Sequence, residues 1–364
     1  MEYKKLRIAY ILSSPGNFGP FIVARDIISG IKSNVDKIDV FYLKESEEKL
    51  SFDADLVLKI DFFKSIDFSG YDIIHSHGFL ADAYVYYHRK KIIGKTITTM
   101  HQNIKPDYSM AYNSLIGGVL EKIWCHFIQK TDKVVCLSED MVNYYKRILK
   151  PNILIAVHNG INSLAEFSAP DSEEFYNILK LKSDNVVIGV SARLIYRKGI
   201  DLIIEALAKS KNQKVVLLVV GDGEKKVELE ALAKALNVAE RCFFVGYQKH
   251  VYPYFKLMDL YIMSSRSEAF GLCLLEAASL KIPIVCADLS IYRELFAEND
   301  VIRFTPEDST SLSFAIEKAI PMKERLAVNI YKKYLEQYTV EIMAQKYFQI
   351  YNGLINLPKT SNDD

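Results

Sequence analysis

Leu260-Tyr261-Ile262-Met263-Ser264-Ser265-Arg266-Ser267-Glu268-Ala269-Phe270-Gly271-Leu272-Cys273-Leu274-Leu275-Glu276 passes from a β-rich apolar run into a helical pattern through a few small and polar residues. Such a joint is the repeating corner of an open α/β sheet, and it is where these sheets bind phosphates. Gly271 lets backbone come close to a ligand, and the free N–H groups of a first helical turn favour an anion. Glu268 would stand beside that anion, and Glu276 two turns into a helix spanning 270–280. Both carboxylates can accept hydrogen bonds from hydroxyls, so a ligand bearing phosphates and hydroxyls, such as a nucleotide sugar, fits the pair. A glutamate on each side of a turn is also a common solvated cap, and the segment alone leaves both readings open.

Outward from this joint, short β-branched runs alternate with stretches of helical period. Strands are predicted at 186–191, 214–221, 242–245, 260–263, 284–287 and 301–304, with helices at 200–208, 224–236 and 270–280. An earlier half repeats the rhythm, with strands at 6–12, 38–43, 72–75, 96–99, 133–137 and 153–157 and helices at 21–31, 79–89, 112–129 and 139–149. This alternation predicts an α/β fold of two doubly wound, Rossmann-like domains, each a parallel sheet with helices on both faces. A polar break, Ser168-Ala169-Pro170-Asp171-Ser172, separates them. The expected boundaries are 1–165, 166–338 and a last helix at 339–357 that crosses back to the first domain.

The length agrees, since 364 residues exceed the roughly 250 to 300 at which single cores stop growing. A formal net charge of +1 offers no field for nucleic acid. Five cysteines, Cys125, Cys136, Cys242, Cys273 and Cys286, are scattered with no C-x-x-C pair, which suits buried thiols in a reducing compartment. The first apolar run, Ile8 to Leu12, is too short for a signal peptide, and no run approaches the ~20 residues that span a bilayer. A cytoplasmic protein that touches a membrane surface is the expectation.

Other residues bear on chemistry. Arg193 and Lys198 lie on the loop leaving the 186–191 strand, where cations can meet a diphosphate; a basic surface loop is the plainer alternative. Gly221-Asp222-Gly223 and Gly246-Tyr247 close the next two strands, leaving room for backbone or a base to approach a ligand. In the first half, Gly16 and Gly19 border a loop that enters a helix without a G-x-G-x-x-G fingerprint, and His101 follows the 96–99 strand. With the two carboxyl edges face to face across a cleft, His101 would reach a ligand held by Arg193 and Glu268. His75-Ser76-His77 and Asp53-Ala54-Asp55 lack further metal ligands at suitable spacing, so no metal is expected. Basic residues beside aromatics, in Tyr84, Tyr86, Tyr87 with His88-Arg89-Lys90-Lys91 and in Tyr144-Tyr145-Lys146-Arg147, suit an anionic membrane surface or an ordinary solvated helix.

Together these segments resemble the retaining glycosyltransferases of family 4 (GT4), which have the GT-B fold. The most specific match is the E-x7-E element from Glu268 to Glu276 with Phe270-Gly271-Leu272 inside it. Ala192-Arg193-Leu194 with Lys198-Gly199, Val220-Gly221-Asp222-Gly223, His158-Asn159-Gly160-Ile161, Asp72-Ile73-Ile74-His75-Ser76-His77 and Thr99-Met100-His101 follow in the family's order. The resemblance implies that Arg193 and Lys198 neutralise the donor's diphosphate without a metal and that Glu276 binds ribose. It implies that Glu268, with Ala269, Phe270, Gly271 and Leu272, holds sugar and pyrophosphate, that Gly221, Gly246 and Tyr247 border the nucleotide, and that Gly16 and Gly19 close on phosphate. His101 would contact the transferred sugar.

The activity so implied is retaining transfer of a hexose-type sugar from a nucleoside diphosphate, UDP by default, to a glycan or lipid-linked saccharide in bacterial surface polysaccharide (lipopolysaccharide) synthesis, with no cofactor. Alternatives are a nucleotide-sugar epimerase on the same fold and a non-catalytic binding partner. Where many members carry a glycine pair, this chain reads Asp288-Leu289-Ser290-Ile291-Tyr292-Arg293-Glu294, a departure that bears on donor-sugar identity.

Overall fold

A computed structural model describes residues 5–162 and 169–356, which form two compact units. The first unit takes in the chain up to Ser109, then Ser114–Asn162, and again from Tyr338 onward; the second takes in Met110–Asn113 and the chain up to Gln337.

In the first unit the strands are β1 (Arg7–Leu12), β2 (Lys37–Tyr42), β3 (Leu56–Lys59), β4 (Ile73–His77), β5 (Lys95–Met100), β6 (Lys133–Cys136) and β7 (Leu154–Ala156). They pair in parallel in the order β3-β2-β1-β4-β5-β6-β7. The helices of that stretch are α1 (Gly19–Ile31), α2 (Phe79–His88), α3 (Ile104–Ala111), α4 (Ser114–Ile128) and α5 (Glu139–Tyr145). The second stretch runs α6 (Glu173–Leu181), β8 (Val186–Ser191), α7 (Ile200–Lys209), β9 (Val215–Val220), α8 (Lys226–Ala235), β10 (Cys242–Phe244), α9 (Tyr252–Phe255), β11 (Leu260–Met263), α10 (Leu272–Ser279), β12 (Ile284–Ala287), α11 (Ser290–Leu295), β13 (Ile302–Phe304), α12 (Ser309–Ala319) and α13 (Lys323–Gln337). Its sheet, also parallel, has the order β10-β9-β8-β11-β12-β13. The last helix, α14 (Val340–Asn356), belongs to the first unit.

In the second sheet the central strands are largely apolar because helices cover both faces of a parallel sheet. Ile188, Leu217, Val219, Leu260, Ile262 and Val285 are fully buried, packed with Ile203, Leu207 and Leu312 from the helices. Both sheets reverse strand order once, at β1/β4 and at β8/β11. Open α/β sheets carry their ligand crevices outside the carboxyl ends of strands at that point. The loops after β8 and β11, which hold Arg193, Lys198 and Glu268, therefore flank one such crevice.

Several elements differ from the sequence expectation. β3 is an edge strand with every residue exposed, so no alternation marks it. Helix 112–129 is instead α3 and α4 with a break at Tyr112-Asn113, because Ile104 opens an earlier helix through Pro106, which a first turn tolerates. The polar break gives way at once to α6, capped by the Ser172 hydroxyl accepting from Phe175 N at 3.2 Å. Its apolar anchors, Phe175 and Ile178, are too few to stand out in a polar stretch. α10 starts at Leu272, not at residue 270, so Glu276 sits little more than one turn into it.

Candidate active site

The second unit's site is assembled from loops locked to one another. Gly199, at φ +64°, lets the β8 loop lie against the β11 loop; a Cβ there would stand 2.2 Å from the Ser264 carbonyl oxygen. The Ser264 hydroxyl donates to Lys198 O at 3.0 Å and Arg266 N to Arg197 O at 2.8 Å. Arg266 then clamps the arrangement: it donates to both Asp201 carboxylate oxygens (3.0 and 2.7 Å) and to Tyr196 O (2.6 Å), pairs with Glu307 (2.8 Å), and stacks over the Tyr196 ring at 4.0 Å. Gly221, at φ +132°, passes so close to Ala192 O that a Cβ would stand 2.0 Å away, and its N–H bonds Gly246 O at 2.8 Å. The carboxyl ends of β8, β9, β10 and β11 thus form one rigid rim.

On this rim Glu268 accepts a hydrogen bond from the Lys198 ammonium and one from the Ser265 hydroxyl (3.0 Å), with Arg197 Nη1 3.5 Å from its other oxygen. Burial alone would raise the Glu268 pKa, but the charges of Lys198 and Arg197 outweigh it and hold the carboxyl below its usual value. Glu276 has no such cation. Burial pushes its carboxyl up to about 7, opposed only by a hydrogen bond with the Cys273 thiol. Arg193 is exposed, and its guanidinium has no ion-pair partner among the described residues. Ala269 and Phe270 are buried, and Gly271, in left-handed backbone, caps α10 without any side-chain cap, leaving that helix's first N–H groups available to an anion. Leu272 begins the helix, and Tyr247 presents a ring that is 61% exposed just beyond Gly246.

Three residues of this site were missed in the sequence. Arg197 joins Lys198 on Glu268, Arg266 fixes the two loops, and Tyr292 of α11 buries a hydroxyl with no hydrogen-bond partner among the described residues. The run of cations from Arg197 to Lys198 was visible, but only the loop's fold decides which of them turns inward.

In the first unit, Gly16 forms a bridge to Lys49 and Gly19 is the first residue of α1, whose N-cap Phe18 supplies no side-chain bond. His101 follows β5 directly; its Nε2 lies 2.9 Å from His77 Nδ1, and the rings are stacked. Burial lowers the His101 pKa to about 3. His75 is spoken for by Thr99 Oγ1 (2.9 Å) and Tyr351 OH (2.7 Å). Asp55 accepts from Ile38 N at 2.7 Å and pairs with Lys32. Among the described residues no group of three or more His, Cys, Asp or Glu is placed to hold a metal ion, and no helix is long and apolar enough to cross a membrane.

The basic, aromatic surface is smaller than the sequence implies. Tyr84, His88 and Tyr145 are buried, with the Tyr84 hydroxyl bonded to Ile66 N and Lys64 O and His88 Nε2 to Phe62 O, because they lie on the inward stripes of α2 and α5. Tyr87, Arg89, Lys90, Lys91, Lys146 and Arg147 remain exposed.

Residues 34–163 match Glycosyltransferase Family 4, and residues 171–335 match Glycosyl transferases group 1. The O-antigen biosynthesis glycosyltransferase WclY of Escherichia coli is 32% identical over 362 residues, 96% of this chain and 99% of that protein. The phosphatidylinositol N-acetylglucosaminyltransferase GPI3 subunit of Saccharomyces cerevisiae is 27% identical over 80% of this chain and 65% of its own. Among solved structures, sucrose-phosphate synthase of Thermosynechococcus elongatus superposes with a TM-score of 0.80 at 18% identity (96% and 99% of the two chains), and Anabaena HepE in complex with UDP and glucose with 0.77 at 17% (96% and 100%). WaaG, a glycosyltransferase involved in lipopolysaccharide biosynthesis, gives 0.72 at 18% (95% and 100%). The 32% identity to WclY over nearly the whole of both chains, two adjoining family matches and two parallel Rossmann-like sheets place this chain in glycosyltransferase family 4, with the GT-B fold.

Proposed function

We propose that this enzyme moves a hexose-type sugar from a nucleoside diphosphate, UDP in the first instance, to a saccharide or lipid-linked acceptor during bacterial surface polysaccharide synthesis, with retention of anomeric configuration and without a metal. The observation that carries the reading is the rim of the second unit. Arg193 stands exposed and unpaired, Lys198 and Arg197 gather on Glu268, and the uncapped start of α10 lies between the two glutamates. A diphosphate is the ligand such a rim suits, because two cations and a helix N-terminus together meet its charge. Support for uridine comes from HepE, described with UDP and glucose, and support for the pathway class from WclY and WaaG.

In the proposed reaction the anomeric carbon's bond to the diphosphate oxygen breaks as its bond to the acceptor oxygen forms on the same face. The acceptor's proton passes to the departing phosphate oxygen, whose charge Arg193 and Lys198 stabilise. Glu276 accepts from ribose hydroxyls, and Glu268 with the backbone at Phe270 and Gly271 holds the sugar. His101 contacts the transferred sugar. The acceptor is reached at the inner membrane face, where Tyr87, Arg89, Lys90 and Lys91 meet anionic headgroups.

The test is nucleoside diphosphate release from a panel of nucleotide sugars in the presence of lipid-linked saccharide acceptors. Arg193→Ala and Glu276→Ala should each lower turnover by roughly 100-fold or more with the far-ultraviolet circular dichroism spectrum, and so the fold, unchanged. Wild-type turnover in both variants would overturn the reading, and isomerised donor without acceptor would favour an epimerase.

A further inference from the structure

His77 and His101 form a hydrogen-bonded pair of imidazoles, Nδ1 to Nε2 at 2.9 Å, with ring centroids 5.1 Å apart and planes at 30°. Burial depresses both pKa values, His77 further affected by its neighbours His75 and His101, so each ring carries a single proton. One of the two must donate in the shared bond, and the choice fixes the tautomer of both. His77 is fully buried beneath the Tyr10 ring, and its Nε2 has no hydrogen-bond partner among the described residues. Were His101 the donor, through Nε2–H, the His77 proton would be forced onto that orphaned Nε2. A buried N–H without an acceptor is rare, rarer than a buried acceptor left without a donor. With His77 as donor, through Nδ1–H, its Nε2 is left as a bare lone pair and no N–H is stranded.

We propose that His77 is a positioning residue that donates to His101 and thereby keeps the His101 proton on Nδ1, so that His101 offers the ligand a hydrogen-bond donor. His101 is partly exposed, and its Nδ1 has no partner among the described residues. The role in transfer rests on the reading that His101 meets the donor's sugar; the tautomer itself does not. A sugar oxygen would then receive the Nδ1–H, an interaction lost if the ring presented a lone pair. The arrangement is pre-set before any ligand arrives because His75, packed on His77 at 4.2 Å between centroids, is itself fixed by Thr99 and Tyr351.

Two-bond 1H–15N correlation spectra of the full chain labelled with 15N-histidine test this without any substrate, with the His101 signal identified by its loss in His101→Gln. Protonated Nδ1 and bare Nε2 are expected at His101; protonated Nε2 in the wild type overturns the proposal outright. The His77→Asn amide can stand where Nδ1–H stood, and it should keep both the tautomer and most of kcat. The amide of His77→Gln reaches toward the Nε2 position instead. It should release the tautomer and lower kcat by roughly 10- to 100-fold, by analogy with metal-bound histidines that lose their outer hydrogen-bond partner, with donor KM unchanged. Equal kcat in the two variants would also overturn the proposal. Transfer activity absent from the wild type, with the expected spectrum, would instead count against the transferase reading.

Discussion

Glu268 and Glu276 stand on one turn and one helix, yet their surroundings drive their proton affinities apart. Lys198 and Arg197 keep Glu268 ionised, whereas Glu276, enclosed without a cation, has its carboxyl raised to about 7. A carboxyl raised in the native state binds more protons than in the unfolded chain between about pH 4.5 and about 7. Stability therefore falls as pH rises through that window and is flat above it. Glu276→Gln, which cannot ionise, should raise the melting temperature more at pH 8 than at pH 5. If Glu276 accepts from ribose, nucleoside diphosphate affinity should rise more steeply between pH 6 and pH 8 in the wild type than in the variant, where only the ligand's own phosphate titrates, as calorimetric titration would show. The two glutamates, Arg193, Lys198 and His101 could be picked out as candidates in the sequence because they lie at fixed offsets from strand ends. Arg197, Arg266 and Tyr292 could not, and His77 was visible only as one histidine of a pair, since their importance comes from which way a loop or strand turns them and from what lies beside them in space.

At the scale of elements, the long strands and amphipathic helices were legible because burial imposes period on them. β3, α6, α9 and α11 were not: β3 is exposed on both faces, α6 has few apolar anchors, and the other two are short turns of helix. What orders the rim is backbone proximity, which leaves only glycines in the sequence as its trace. Gly199 and Gly246 both have positive φ (+64° and +69°), but a Cβ at Gly199 meets Ser264 O at 2.2 Å, while one at Gly246 meets nothing within 4 Å. Gly246→Ala should thus cost only the left-handed backbone term, about 1–2 kcal/mol. Gly199→Ala adds a clash with backbone that cannot swing aside, which should lower stability further and weaken diphosphate binding by parting Lys198 from Glu268. Thermal melts of the two variants, compared with and without nucleoside diphosphate, check the order; equal losses would count against the packing argument.

Across the whole molecule, α14 completes the first unit. Val340, Met343, Ala344, Tyr347, Tyr351 and Leu354 are buried, and the helix packs against α1 so closely that a Cβ on Gly30 would stand 2.4 Å from Ala344. Tyr351 OH joins Tyr10 OH (2.8 Å) and His75 Nδ1 (2.7 Å), while Tyr347 OH meets Thr99 Oγ1 at 3.0 Å. Tyr351→Phe strips a partner from two fully buried groups and should cost about 1–3 kcal/mol. Tyr347→Phe should cost less, since Thr99 keeps His75 as a partner. The single tryptophan, Trp124, lies in the first unit, so its fluorescence during urea unfolding reports that unit alone. A larger loss for Tyr347→Phe would contradict this ranking.

The first unit is written in the chain in separated stretches, and its closing helix, α14, follows every described element of the second unit. Ile161 and Thr339 pair as a parallel bridge where the polypeptide leaves that unit and where it returns. Domains ordinarily fold in order of their appearance from the ribosome. Here the second sheet, encoded without interruption, is ready to fold while the first still lacks the helix that seals Tyr10 and His75. During translation the earlier half must wait, with its polar core open, until α14 has been made.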